Sequence, residues 1–263
     1  MTGRPIVVVT GGSRGIGKAL GARFADAGYD VALVARDASA LAAAAKDIEA
    51  QAGIRPQTLA YDVSKPGVYA ALQADLAAEG SFIDILINNA ALGLSGAFAG
   101  QSGVEIEKLI ALNIAATTQL THAALTDMLP RRRGGIINVA SLGGYVPGPG
   151  QAVYYASKAF VLSFTEALAY ENRGTGVRIA AVAPGPVATN FHKEMRAERA
   201  PYRFLVPEMT TQRVANSVYW RFQLGQRVIV PGLLPQLMQM TLKIVPHSIS
   251  ARLMRLLLQT PKK

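Results

Sequence analysis

Cysteine is absent from this 263-residue sequence, which removes a disulfide framework, a thiolate zinc site and a catalytic thiol together. The lack fits a reducing compartment. Histidine is scarce: His122, His192 and His247 are scattered without metal-ligand spacing, so no metal centre is expected. No GxSxG elbow occurs, which argues against a serine hydrolase. No uninterrupted apolar stretch reaches the ~18 residues that span a bilayer. The apolar run in MTGRPIVVVTGG is short and cut by a glycine-rich turn, unlike a signal peptide. The expected location is the cytoplasm, with peripheral attachment to the inner face of a membrane as the alternative.

What is present is enough for a sizeable core, since half the residues are hydrophobic and only 17% are charged. No composition shift marks a boundary before about residue 190. Residues 1–232 therefore read as one catalytic domain and 233–263 as a helical extension. The net charge of +10 is unevenly distributed. Residues 1–189 carry 15 basic and 14 acidic side chains, whereas residues 190–263 carry 12 and 3. The excess belongs to the last quarter and needs a separate explanation.

Short β-branched runs alternate with longer helical patterns. Strands are expected at 6–10, 30–35, 82–90, 135–141, 177–184 and 227–232, with helices at 14–27 and 38–52. Near-continuous apolar strands separated by helices predict an α/β fold, a Rossmann-like doubly wound parallel sheet covered on both faces. Ligands bind such sheets beyond the carboxyl ends of the strands, and the motifs fall there.

The first strand runs into TGGSRGIG, residues 10–17. Gly11 permits a tight turn, Gly15 lets backbone approach a pyrophosphate, and Gly17 allows the helix to pack against the strand. Ser13, Arg14 and Ile16 complete this cofactor turn, and the helix start offers free N–H groups to phosphate. Cofactor choice is read after the second strand. An acidic residue there would bind a ribose hydroxyl, but Ala35 is followed by Arg36. Arg14 and Arg36 are suited to bracket a 2′-phosphate, so NADP(H) is expected rather than NAD. The competing reading makes both arginines solvent-facing and Asp37 a ribose acceptor.

A second motif is VYYASKAF, residues 153–160. A free tyrosine titrates near ~10, too high for easy proton exchange at neutral pH, and a nearby ammonium favours the phenolate. Tyr154 stands four residues before Lys158 and Tyr155 three, and helical geometry permits either contact. Periodicity leaves both eligible.

Together these residues resemble the single-domain short-chain dehydrogenases/reductases. The matching elements are TGGSRGIG, Asp62-Val63, NNA (88–90), Asn113, Ser141, YYASK and PGPVAT (184–189), in the family's order over about residues 5–232. The resemblance implies seven parallel strands ordered 3-2-1-4-5-6-7. It implies Asp62 and Val63 beside the adenine, Asn89 and Ala90 bordering the cofactor cleft, and Pro184, Gly185, Val187 and Thr189 over the nicotinamide. The family pattern YxxxK selects Tyr154 as general acid/base, with Lys158 setting its pKa. Ser141 would bond the substrate oxygen, and Asn113 would anchor a water relaying protons through Lys158. Each has a plainer reading: Ser141 as a helix cap, Asn113 as a polar group inside a helix, Tyr154 as a packing residue. The implied activity is carbonyl reduction, or alcohol oxidation in reverse, by a homodimer or homotetramer. The competing class is a non-catalytic NADP-binding redox sensor.

The segment after Thr189 is where the family places a substrate lid, about 187–210. Leu92, Leu142, Val146, Pro147 and Phe191 surround the expected site with apolar surface, so a hydrophobic ketone or alcohol (acyl, lipid or steroid-like) is the expected substrate. The Arg131–Arg133 run reads as a solvated helix end, with contact to an acidic partner as the alternative. In the extension, Ile249, Leu253, Leu256 and Leu257 share one helix face, with Arg252, Arg255 and Gln259 on another. Such a basic amphipathic helix packs on its own domain or a second subunit, binds an anionic membrane, or docks an acidic partner. Nucleic acid is not expected, because no aromatics interleave with the charge.

Overall fold

The computed structural model describes residues 3–195 and 207–258. Seven parallel strands form one sheet: β1 (Arg4–Thr10), β2 (Asp30–Ala35), β3 (Gln57–Ala60), β4 (Ser81–Asn88), β5 (Gly134–Val139), β6 (Val177–Val182) and β7 (Val228–Ile229). Their order is β3-β2-β1-β4-β5-β6-β7. The chain leaves β1 toward one edge and returns at β4 toward the other, which opens a crevice at their carboxyl ends.

The helices are α1 (Gly15–Asp26), α2 (Ala38–Ala52), α3 (Val68–Ala78), α4 (Gly103–Ile110), α5 (Thr117–Met128), α6 (Ala152–Glu171), α7 (Phe191–Glu194), α8 (Thr211–Gln223), α9 (Leu233–Ile244) and α10 (His247–Leu258). β1 shows why both sheet faces are covered. Its side chains alternate, sending Val7 and Val9 into a core with Leu20, Phe24, Val214 and Phe222. Ile6 and Val8 enter the opposite core with Leu72, Leu86, Leu120 and Ile179.

Two strands differ from the reading of apolar runs. β3, sequence QTLA, alternates half-buried and exposed residues at the sheet edge, so it has no continuous apolar run. β7 keeps only two paired residues, at the opposite edge. In the arginine run Arg132 and Arg133 are exposed, and Arg131 and Arg133 find acidic partners. Arg131 is largely buried and bonds Asp127 and the Ile83 carbonyl, while Arg133 grips Asp84 with two bonds of 2.9 and 3.1 Å. Arg132 reaches the Gly174 carbonyl at 3.1 Å, so the run ties the β4 and β6 approaches together at the end of the sheet away from the crevice.

Beneath the crevice lies a buried polar chain. Asn88 Nδ2 donates to Asn138 Oδ1 (2.9 Å) and Thr121 Oγ1 (3.1 Å), and Asn138 Nδ2 donates to Thr165 Oγ1 (3.0 Å). All four residues are buried. They join β4 and β5 to α5 and α6 by direction-specific bonds where an apolar contact would let the helices slide. Asn138→Ala should cost about 2–3 kcal/mol, because donors on Asn88 and acceptors on Thr165 lose their partner in a dry site. Urea unfolding with an unchanged m-value is the measurement; a loss under ~0.5 kcal/mol would show the chain to be dispensable.

Candidate active site

The turn after β1 is tight for reasons internal to the chain. Gly11 has φ +64°, and a Cβ there would lie 2.9 Å from Asn89 Nδ2. A Cβ on Gly17 would lie 2.3 Å from the Gly11 carbonyl oxygen. Thr10 Oγ1 accepts from the Asn89 and Ala90 N–H groups at 2.9 and 3.1 Å, which seals the ends of β1 and β4. Asn89 Nδ2 in turn donates to the Thr10 carbonyl at 3.0 Å. Gly15 is different: its φ of +57° demands glycine, yet only Thr189 lies within 4 Å of a would-be Cβ. That side of the turn is open, and Arg14, the N-cap of α1, makes no side-chain cap bond to the helix. With Ser13 and Ile16 flanking it, this opening is where the α1 N-terminus can meet an anion. The residues fit a dinucleotide pyrophosphate.

At the carboxyl end of β2, Arg36 is exposed. Asp37 Oδ1 caps α2, accepting from Ser39 N and Ala40 N at 3.0 Å and Ser39 Oγ at 2.7 Å. Asp62, past the end of β3, accepts from Ser64 N and Oγ. Burial pushes its carboxyl up, but the Ser64 bonds and the Arg36 charge outweigh burial and hold it below the ordinary range. Val63 is buried beside it. Arg14 forms an ion pair with Glu194 of α7 at 2.7 Å, an acidic partner that its position in the glycine turn does not reveal.

The two tyrosines part company. The Tyr155 ring lies against Gly143 and Gly148, where a Cβ would approach it to 3.0 and 2.2 Å. Tyr154 turns the other way, hydrogen-bonded to the Ser141 hydroxyl and 5.5 Å, centroid to centroid, from Phe191. Ser141 Oγ also accepts from Gly143 N at 3.1 Å, so it caps the short turn Leu142–Tyr145 while facing the phenol. Lys158 is 4% exposed and donates to the Val139 carbonyl at 2.9 Å. Its Nζ stands 5.8 Å from the Tyr154 ring centroid.

Asn113 lies in a single π-helical stretch, Ala111–Ala116, between α4 and α5. Its amide pairs with both backbone groups of Leu92, each at 2.8 Å, and Nδ2 also reaches Ser157 Oγ at 3.1 Å. Ser157 Oγ donates to the Tyr154 carbonyl at 2.7 Å. Ser157 thus links Asn113 to the tyrosine helix. It stands at i+3 from Tyr154, inside the motif and easily passed over as filler.

Burial pushes the Tyr154 phenol up to about 12 against the downward pull of Ser141. Burial also pushes Lys158 down to about 8. The direction for the phenol is opposite to that expected from an adjacent ammonium: burial and Ser141 are what act on it, and burial is the larger.

Residues 184–189 complete the cleft. The Pro184 carbonyl accepts from Leu142 N at 3.0 Å, Val187 bridges to Met209, and Thr189 reaches the open side of Gly15. Gly185 approaches Pro235 of α9. Across the cleft, Phe191 and Met195 close on Gly93, and Ser95 Oγ donates to the Met195 carbonyl at 2.6 Å. Leu142 and Val146 are buried alongside. Residues 196–206 of the expected lid lie outside the described residues. Among the described residues no group of three acidic or histidine side chains is placed to hold a metal.

A family model described as short chain dehydrogenase matches residues 5–200. The chain is 32% identical over 188 residues to the 3-oxoacyl-[acyl-carrier-protein] reductase FabG of Chlamydia trachomatis, covering 72% of this chain and 76% of that protein. It is 36% identical to the ketoacyl reductase HetN of a Nostoc species, covering 83% and 75% of the two chains. The solved structure of a short-chain dehydrogenase from Sphingobium yanoikuyae in complex with NADPH matches with a TM-score of 0.79 and 32% identity, over 92% of this chain and 96% of that one.

The depressed lysine has a measurable signature. Between about pH 8 and the ordinary lysine value of 10.5, the folded state binds fewer protons at Lys158 than the unfolded state. Stability from this residue therefore rises with pH across that window and is flat, at its least favourable, below it. Relative to Lys158→Met, the wild-type protein should gain up to ~1.4 kcal/mol per pH unit between pH 8 and 10.5. Paired denaturation curves over pH 6–11 would read this, and a constant difference would contradict a depressed Lys158.

Proposed function

The chain belongs to the short chain dehydrogenases and is an oxidoreductase acting on CH–OH or C=O groups; on that premise we propose that it reduces a hydrophobic ketone with NADPH, using Tyr154 as proton donor. The observation that carries the reading is the convergence of Ser141, Tyr154 and Lys158 beside an opening at the α1 N-terminus. Three separate elements supply that arrangement, the turn after β5, α6 and α1, and Asn113 and Ser157 brace it from behind.

Bound nicotinamide would supply the hydride, and this chain's residues would handle the proton and the developing charge. Ser141 Oγ accepts from Gly143 N, which fixes its hydroxyl beside the phenol, where it can turn its hydrogen to a substrate carbonyl. The Tyr154 phenol donates to the alkoxide as it forms. A phenol kept protonated at neutral pH has its proton in place to donate when the alkoxide forms. Lys158, charged below about pH 8, stabilises the phenolate left behind.

NADP rather than NAD is supported by Arg36, exposed at the β2 end, and by Asp37, whose carboxylate is oriented by Oδ1 capping α2. A solved relative holds NADPH. A hydrophobic substrate is supported by the Leu142, Phe191 and Met195 walls and by the ketoacyl reductases among the relatives. A homodimer or homotetramer is the assembly expected from the family.

Tyr154→Phe should lower kcat for ketone reduction by about 100-fold or more, with NADPH affinity unchanged by fluorescence titration. Tyr155→Phe should stay within a few-fold; if it proves the more damaging, the assignment of the acid is wrong. Arg36→Asp should lower the NADPH-to-NADH ratio of kcat/KM by about tenfold or more, through a lost guanidinium–phosphate contact and a new carboxylate beside the phosphate. An unchanged ratio would remove Arg36 from cofactor choice.

A further inference from the structure

α9 is apolar on two sides, and the domain covers only one. Pro235 and Met238 face inward against Gly185, Val230 and the Leu142–Tyr145 turn, secured by Gln236 Nε2 to the Val230 carbonyl (2.9 Å) and Gln239 Nε2 to Tyr145 Oη (2.8 Å). Leu233, Leu237, Met240 and Ile244 form a second stripe pointing outward. α10 repeats the pattern: Ser250 and Leu258 are buried, while Ile249, Leu253 and Leu256 face out. These seven outward side chains are each between 51 and 82% exposed. Isolated apolar residues on a surface need no explanation, but two successive helices with outward stripes do.

Charge identifies the occupant. From residue 209 to the last residue the sequence holds eight basic side chains and not one aspartate or glutamate. Lys243, Arg252 and Arg255 are exposed on the same two helices. A second copy docking through these two helices would set Lys243, Arg252 and Arg255 against their own images with no acid on either helix to answer them, which repels. An anionic lipid surface answers both properties, since it accepts apolar side chains at its acyl boundary and basic ones at its headgroups. We infer that α9 and α10 form a peripheral docking surface for an anionic lipid bilayer. Among the described residues no helix is long and apolar enough to cross a membrane, so the contact is with one leaflet. Because the inner side of α9 touches Gly185 and the Leu142–Tyr145 turn, docking brings the cleft border next to the lipid phase. This inference is independent of substrate identity, since binding is read without turnover.

The test is co-sedimentation of the full chain with phosphatidylcholine vesicles, with and without phosphatidylglycerol, at low and high salt. The expected result is binding to the anionic vesicles that weakens with salt and falls about tenfold or more without phosphatidylglycerol. Leu237→Glu with Met240→Glu, and separately Arg252→Gln with Arg255→Gln, should each weaken vesicle binding about tenfold or more. Both variants should keep the wild-type melting temperature and activity on a water-soluble ketone. No binding of the wild-type chain to anionic vesicles overturns the inference, as does equal, salt-insensitive binding to both vesicle types. A dimer that Leu237→Glu with Met240→Glu dissociates, in a chain that ignores vesicles, would assign the face to a second copy instead.

Discussion

The site depends on keeping one ammonium group in a place that disfavours it. Lys158 is almost fully withdrawn from water and is held by the Val139 carbonyl at the end of β5. Desolvating a cation is costly, and the cost appears as the fall of its pKa toward neutrality. Only a rigid surround can sustain that state, because a mobile helix would let water or the side chain escape. The buried Asn88–Asn138–Thr165 chain beneath α6 and the Asn113–Ser157 bond at its start provide that rigidity. They hold α6 at Ser157 and Thr165, on either side of Lys158.

Much of the fold was legible because a doubly wound sheet writes itself in apolar runs. β1, β2, β4, β5 and β6 are buried on both faces, so their sequences carry few polar interruptions. β3 lacked that signal because an edge strand has only one neighbour and half its side chains meet water. Its place in the sheet came from the family resemblance. The arginine run was legible only in part for a related reason: sequence shows the charge and admits an acidic partner, but does not say which acids meet it, here Asp127 and Asp84.

The candidate site divides in the same way. Helical spacing admitted Tyr154 and Tyr155 equally, since both reach Lys158 from one turn. What separates them in space is a pair of glycines, 143 and 148, that make room for one ring and so orient the other. Those glycines sit outside the motif. Ser157 was inside it and carried no signal, because a serine in the middle of a helix is unremarkable until its partner is known. Glu194 was beyond reach altogether: its contact with Arg14 spans 180 residues of chain.

That last contact alters how affinity at the glycine turn should be understood. Arg14 is already answered by a carboxylate supplied by the same chain, so an incoming anion substitutes one negative charge for another. The strength of such a pairing would be a difference between two pairings, set against an internal competitor whose local concentration never dilutes. A change that freed Glu194 would strengthen the pairing, and by linkage the anion would loosen the contact of α7 by the same factor.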